Sequence, residues 1–542
     1  MGKKSISENN KSKLAIGCVI TIGICMRIVM AILHFTHADD IGEINQLING
    51  KYIGLTYKEM LDWDWTYAPF QPLFTALMVN KNFSQQWNLF VGRLPSLLCG
   101  IVAMLLVLFL CDKIIDGIQD KWKIIFPLVL ISFSWENIIY SAQAEPYEIL
   151  VVFILTTILL IKDRFYESWK KALIALGILT IGCYSHYQFF VVVFAMYVAV
   201  FLANIRNKGN EVRIICVGVG NLLFSLPLLI QMQKKNMFGR SINWNAGKSG
   251  QFSFVLPQES FFEKLRYSIT FFVNNTFSII RYFTVPNLND IIAGIITILI
   301  VMIVLLGIWS VNKKEKELAL YVDILLIIVF AMICKGSLSY GPSRHMLIVF
   351  PIIIIAVAYG MDSLNLQVTR IGCKILTLTL SILFVFSIPD EVAQRLNYIN
   401  QPYIQEIIDS YEPDVIYTYD WVCDLYAMDF IGYENESLIH GPNPGLIKKT
   451  YSEDSSRLRV LIISKSTDID TFLGLNVDDQ TRKLFESKLE NLGYEWFADC
   501  FPDYKIIYKK EIHSDAEVEY ASEFYLNYPN GLYAYILQAE KN

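Results

Sequence analysis

The residues with the most chemical potential come early. His37-Ala38-Asp39-Asp40-Ile41-Gly42-Glu43 places three carboxylates and an imidazole in one short stretch. Asp39, Asp40 and Glu43 offer oxygen ligands to a divalent cation, with His37 adding a nitrogen. The plainer reading is a solvated acidic loop. A second stretch is basic: Lys234, Lys235, Arg240, Lys248, Arg266 and Arg281 face few acids, which suits an anionic ligand or anionic headgroups. Gly247-Lys248-Ser249 has the ending of a phosphate loop, but Ile242 stands where the first glycine of that motif is required. The phosphate-loop reading is therefore rejected. Arg27 lies inside an apolar run, where a charge needs a partner or a polar cavity.

These residues are set among long apolar segments. The chain has 542 residues, 54% hydrophobic and 18% charged, with a mean hydropathy of +0.40. Its apolar blocks run to roughly 18–25 residues, enough to cross about 30 Å of hydrocarbon as helices. The composition specifies a polytopic α-helical membrane protein and excludes a soluble enzyme throughout. Eleven spans are expected, near 14–35, 87–111, 122–140, 147–161, 171–185, 187–204, 212–231, 290–310, 319–334, 345–362 and 371–388. The first follows Lys3, Lys4, Lys11 and Lys13 and lacks a small-residue cleavage site, so it reads as an uncleaved helix.

Alternate short connections are basic: Lys113, Lys121 and Lys123; Lys162, Arg164, Lys170 and Lys171; Arg206, Lys208 and Arg213; Lys313, Lys314 and Lys316; Arg370 and Lys374. The positive-inside rule places this set and the N-terminus in the cytoplasm. The long loops 36–86 and 232–289 and the C-terminal part then lie outside, at a plasma membrane. Within the first loop, Ala68–Asn80 is apolar but too short to span, and is expected along the interface.

The chain divides near residue 388. From Pro389 on, 28 acidic residues stand against 13 basic ones, a net −15 that leaves +10 for the remainder. Residues 1–388 are the membrane module and 389–542 a small extracytoplasmic α/β domain. Strands are expected at Asp414–Thr418, Leu458–Ile463 and Gly531–Gln538, and helices at Tyr403–Tyr411 and Asp479–Asn491. Cys423 and Cys500 are the only cysteines of that domain; the sequence leaves their pairing open.

Four further stretches carry a resemblance. They are Arg93-Leu94-Pro95-Ser96-Leu97-Leu98-Cys99-Gly100, Tyr140-Ser141-Ala142-Gln143-Ala144-Glu145-Pro146-Tyr147, Ser185-His186-Tyr187 and Arg344-His345-Met346-Leu347. With the acidic pair Asp39-Asp40, their order and spacing over residues 14–365 resemble the GT-C superfamily of membrane glycosyltransferases. The closest group is the protein O-mannosyltransferases and lipid A aminoarabinose transferases. Three positions depart from that group's pattern. Asp39-Asp40 stands for Asp-Glu, Phe70-Gln71-Pro72-Leu73 for His/Lys-Pro-Pro-Leu, and Glu145 for an arginine.

The resemblance implies a GT-C fold and a polyprenyl-phosphate-sugar donor. The sugar would pass to an extracytoplasmic lipid, protein or envelope glycan with inversion at the anomeric carbon. It implies Asp39 as base, with Asp40 orienting it or binding acceptor. Arg344, which matches the family arginine, would hold the phosphate, with Arg240 of the basic loop as a further candidate, and Glu145, Tyr147, His186 and Gln71 would contact substrate. The departure at Glu145 removes a phosphate ligand and supplies a carboxylate that can pair with a base, hold a metal or bind a sugar hydroxyl. A transporter or flippase of lipid-linked glycans, and a ligase of such glycans, are the alternatives. A transporter should carry more ionisable residues within its helices.

Overall fold

The computed structural model describes residues 2–32, 68–80, 82–83, 85–115, 122–234, 254, 260–285, 290–335, 337–364, 367–399, 410–413, 415–418, 438–440, 459–465, 504–511 and 532–539. Each expected apolar segment contains α-helix among its described residues. The helices are α1 (Gly2–Ile32), α2 (Phe70–Met78), α3 (Gln85–Ile114), α4 (Trp122–Phe133), α5 (Trp135–Ser141), α6 (Tyr147–Lys162) and α7 (Trp169–Ser185). They continue with α8 (Phe189–Asn204), α9 (Lys208–Lys234), α10 (Phe261–Thr284), α11 (Asp290–Lys314), α12 (Lys316–Cys334), α13 (Phe350–Ser363) and α14 (Gln367–Ile399). Among the described residues α1, α3, α9, α11 and α12 are each long and apolar enough to cross a membrane, and the bent pair α4–α5 makes a sixth.

Burial follows helical spacing. On α11, Ala293, Ile296, Ile300, Val304 and Gly307 are buried, while Ile291, Ile295, Ile298, Met302 and Leu305 are exposed and equally apolar. A helix apolar on both its protein face and its outer face is matched to hydrocarbon. α11 meets α13 backbone to backbone. A Cβ on Gly307 would overlap the Ala356 carbonyl, and one on Gly360 would lie 2.3 Å from the Ile303 carbonyl oxygen. Small residues at a helix crossing permit this approach.

The span expected at 122–140 is broken. Ser134 leaves the helical region and its hydroxyl accepts from the Asn137 N–H (3.4 Å), capping α5, which departs from α4 by 55°. The break frees the carbonyls of Ile131 and Ser132 from the helical ladder. Arg27 of α1 takes both, at 2.8 and 2.9 Å. Its guanidinium also donates to Asn137 Oδ1 (2.5 Å), and Asn137 Nδ2 donates to both carboxylate oxygens of Glu148 (2.9 and 3.1 Å). All three residues are fully buried. Arg27 is thus a structural cation whose counter-charge, Glu148, is reached through Asn137.

The second loop contains a helix the sequence reading missed. α10 buries Ile279, Ile280, Phe283 and Thr284 at its C-terminal end, where Phe283 stacks on Phe350 at 4.9 Å. Phe262, Leu265 and Ile269 in its first half are exposed. Polar ties also join the connections expected to share one side. Lys162 at the end of α6 meets Glu315 before α12 (2.9 Å), Lys314 meets Asp362 (2.6 Å), and Asn204 and Tyr166 both donate to Glu317.

Two compact units result, one built on α1 and Phe90–Pro389 and the other containing the strands. The strands are β1 (Val415–Thr418), β2 (Leu438–His440), β3 (Arg459–Lys465), β4 (Tyr504–Glu511) and β5 (Leu532–Ala539), in the order β2-β1-β3-β5-β4. β1 runs parallel to β2 and β3, whereas β5 is antiparallel to β3 and β4. The continuous apolar run Val460–Ile463 belongs to the central strand, as its composition predicts. β2 and β4 were not expected. β2 is very short, and β4 carries three lysines among its eight residues. The expected helix at 479–491, most of that at 403–411, and Cys423 and Cys500 fall outside the described residues.

Candidate functional site

The site is built on the turn between α5 and α6. Ser141 ends α5 by donating to the Asn137 and Ile138 carbonyls (2.6 and 3.0 Å). Residues 142–146 then reverse the chain and Tyr147 opens α6. α3 pins this turn, because Ser96 Oγ donates to the Glu145 carbonyl at 2.8 Å. The close approach depends on Gly100. A Cβ there would lie 2.5 Å from Ser141 Cβ and 3.0 Å from Arg27 Nε. Arg93, also on α3 and fully buried, donates to the Ala31 carbonyl (3.2 Å) at the negative end of α1.

Glu145 is fully buried and faces Arg344, the first residue of a 3-10 turn (Arg344–Ile348) that precedes α13. Arg344 Nη1 donates to both Glu145 oxygens, at 2.9 and 3.1 Å. The guanidinium carbon stands 5.1 Å from the centre of the Tyr147 ring. Tyr147 in turn touches Tyr140 and His186, with ring centres 5.7 Å apart in each case. Tyr140 and the α10 residue Tyr282 share a hydroxyl hydrogen bond of 2.9 Å.

His186 closes α7, its N–H donating to the Gly182 carbonyl (3.2 Å). Its Nδ1 accepts from the Gln188 N–H at 3.1 Å, which leaves the proton of the neutral ring on Nε2. Withdrawal from water, then His345 and Arg344, hold this imidazole well below its usual pKa. Gln188 Nε2 donates to the His345 carbonyl (3.4 Å), tying this connection to the 3-10 turn. Three buried oxygens in these connections lack a partner: Gln143 Oε1, Gln188 Oε1 and Ser343 Oγ.

Of the residues singled out in the sequence, Glu145, Tyr147, His186 and Arg344 therefore come together. Gln71 lies in the first turn of α2, fully buried, with neither amide atom partnered. Asp39, Asp40, Glu43 and Arg240 lie outside the described residues. Among the described residues no cluster of three metal-ligating side chains occurs, and Glu145 has both oxygens engaged by Arg344. Sequence reading missed Asn137 and Glu148. The available signal was a lone glutamate within an apolar helix, three residues after Glu145.

No family model matches the chain, and no curated protein matches it. The chain is similar to the crystal structure of ArnT from Cupriavidus metallidurans bound to undecaprenyl phosphate. That similarity covers 96% of this chain and 97% of the other, with 9% sequence identity and a TM-score of 0.49.

Proposed function

We propose that this chain is a GT-C-type membrane glycosyltransferase that moves a sugar from a polyprenyl-phosphate donor to an extracytoplasmic acceptor. One observation carries the reading. The four stretches that bear the sequence resemblance are far apart in the chain, yet the other three each contact the stretch Tyr140–Tyr147. Ser96 holds the Glu145 backbone, Arg344 holds the Glu145 carboxylate, and His186 packs on Tyr147.

The chemistry follows from the residues. Asp39 accepts the proton of an acceptor hydroxyl as its oxygen attacks the anomeric carbon. The bond from that carbon to the phosphate oxygen breaks, and polyprenyl phosphate leaves with the electron pair, inverting the configuration. Arg344 and Arg240 are assigned to the charge that develops on the phosphate, with Glu145 fixing the guanidinium of Arg344. Asp40 orients the base, and Gln71 contacts substrate. The basic connections are assigned to the cytoplasm, and residues 389–542 are assigned to an extracytoplasmic domain.

The test is mass spectrometry of lipid products. Purified protein is incubated with a panel of polyprenyl-phosphate sugars and a cell-envelope extract, beside Asp39→Asn. Release of polyprenyl phosphate by the unaltered protein alone is expected. Release by neither protein, both folded, overturns the reading in favour of lipid-glycan transport. Near-normal turnover by Asp39→Asn removes Asp39 as the base.

A further inference from the structure

Ahead of its buried end, α10 has three faces. Phe262, Leu265, Ile269 and Val273 follow a three-four spacing that sets them on one line of the helix, and all four are exposed, Phe262 to 79% and Val273 to 61%. Glu263, Arg266, Thr270 and Asn274 repeat that spacing one residue on, about 100° round the helix, and are exposed as well. The third face is aromatic and packed. Phe272 lies 4.9 Å from Phe330 of α12 and 5.5 Å from Tyr340, between ring centres, and Thr276 shares a hydroxyl hydrogen bond with Tyr340. Tyr267 and Phe271 close on Phe254 at 6.0 and 5.3 Å.

The directions of these faces decide what covers the apolar line. Phe330 and Ile327 belong to the outward apolar face of α12, itself long and apolar enough to cross a membrane, and both are exposed. Phe330 stands near the end of α12, so α10 packs at the rim of that span. Phe272 flanks the apolar line of α10 on the side away from the polar line. The apolar line therefore continues, through Phe272 and Phe330, a surface matched to hydrocarbon. The border between the apolar and polar lines lies opposite the packed face, along the ridge of α10 furthest from the bundle. A helix lying flat in the headgroup layer has this arrangement, with one flank in acyl chains and the other in water. Arg266 sits at that border and makes no ion pair among the described residues.

We propose that residues 262–274 of α10 lie in the plane of the membrane surface, with Phe262, Leu265, Ile269 and Val273 among the acyl chains of bulk phospholipid and Arg266 beside an anionic headgroup. This rests on the chain being a membrane protein and not on the reaction it performs. The other end of α10 carries Tyr282 to Tyr140, so the bilayer sets the depth at which this helix meets the candidate site.

The experiment places a photo-crosslinking phenylalanine analogue at position 265, 269, 273, 270 or 274 of the full-length protein. Nanodiscs hold equal phosphatidylcholine and phosphatidylglycerol and no polyprenyl lipid, and adducts are identified by mass spectrometry. Unfolding midpoints check each variant, and three positions on the apolar line keep the test intact if one variant fails to fold. Positions 265, 269 and 273 are expected to yield phospholipid adducts several-fold above positions 270 and 274. Phosphatidylglycerol is expected to be enriched about fivefold in the adducts from position 269, as one surface cation supports, and Arg266→Gln is expected to abolish that enrichment. Equal phospholipid yields from the two lines overturn the proposal. Crosslinked dimers or intramolecular adducts from the apolar line overturn it too, giving that line to a second copy or to another segment of this chain. Adducts that form only after polyprenyl phosphate is added give the line to that lipid and likewise overturn it. Enrichment that persists in Arg266→Gln removes Arg266 from the proposal.

Discussion

Glu145 and Arg344 are 199 residues apart in the chain, and their side chains meet with Arg344 Nη1 2.9 and 3.1 Å from the two carboxylate oxygens. Both residues are buried, the carboxylate completely. Each charge is tolerable only because of the other, so the pair locks the α5–α6 turn to the segment entering α13.

Removing one partner should be costly. Glu145→Ala leaves a guanidinium buried without its carboxylate and is expected to lower stability by about 3–5 kcal/mol. The double variant Glu145→Gln/Arg344→Gln should lose less than the two single variants together. Unfolding in detergent measures both quantities.

Asn137 bridges Arg27 and Glu148 at the break between α4 and α5. Asn137→Leu has similar volume but offers neither the donor nor the acceptor. It is expected to cost about 2–4 kcal/mol, because two buried charges lose their shared partner. The same unfolding assay reads this, and a loss under about 0.5 kcal/mol would show that the bridge is dispensable.

Gly100 sets the approach of α3 to Ser141. Gly100→Ala introduces a Cβ 2.5 Å from Ser141 Cβ, and the overlap should cost about 1–3 kcal/mol. Ser141→Gly in that background removes the opposing atom and should restore part of the loss. Absence of any rescue would place the strain elsewhere.

His186 predicts a pH effect. Its folded-state pKa is depressed, so at pH values below its ordinary 6.5 the unfolded chain takes up a proton that the folded protein refuses. The unfolded state then binds more protons, and stability falls as the pH drops from about 7 to about 5. Burial away from water is the main cause, with His345 and then Arg344 acting in the same direction. His186→Gln should flatten this part of the stability profile, and an unchanged slope would assign it to other groups.

The helical unit was legible in the sequence because a span announces itself by length. Roughly twenty apolar residues have few alternatives to a helix in hydrocarbon. The strands at Val415, Arg459 and Leu532 were legible as apolar runs. α10 was not, since its apolar residues alternate with Lys264, Arg266 and Arg281 and no long run marks it. The break at Ser134 was hidden for the opposite reason: hydropathy continues smoothly across it.

The sequence by itself determined that this chain enters a bilayer, which of its segments are apolar, and which short stretches bear reactive residue types. Those properties depend on local composition. Only the tertiary structure decided the partners. It gave Arg27 to Glu148 through Asn137, and Arg344 to Glu145, since ion pairs between distant segments depend on packing that no local pattern encodes. It also showed which polar oxygens fold away from water without a donor. That feature exists only once the surrounding helices have excluded the solvent.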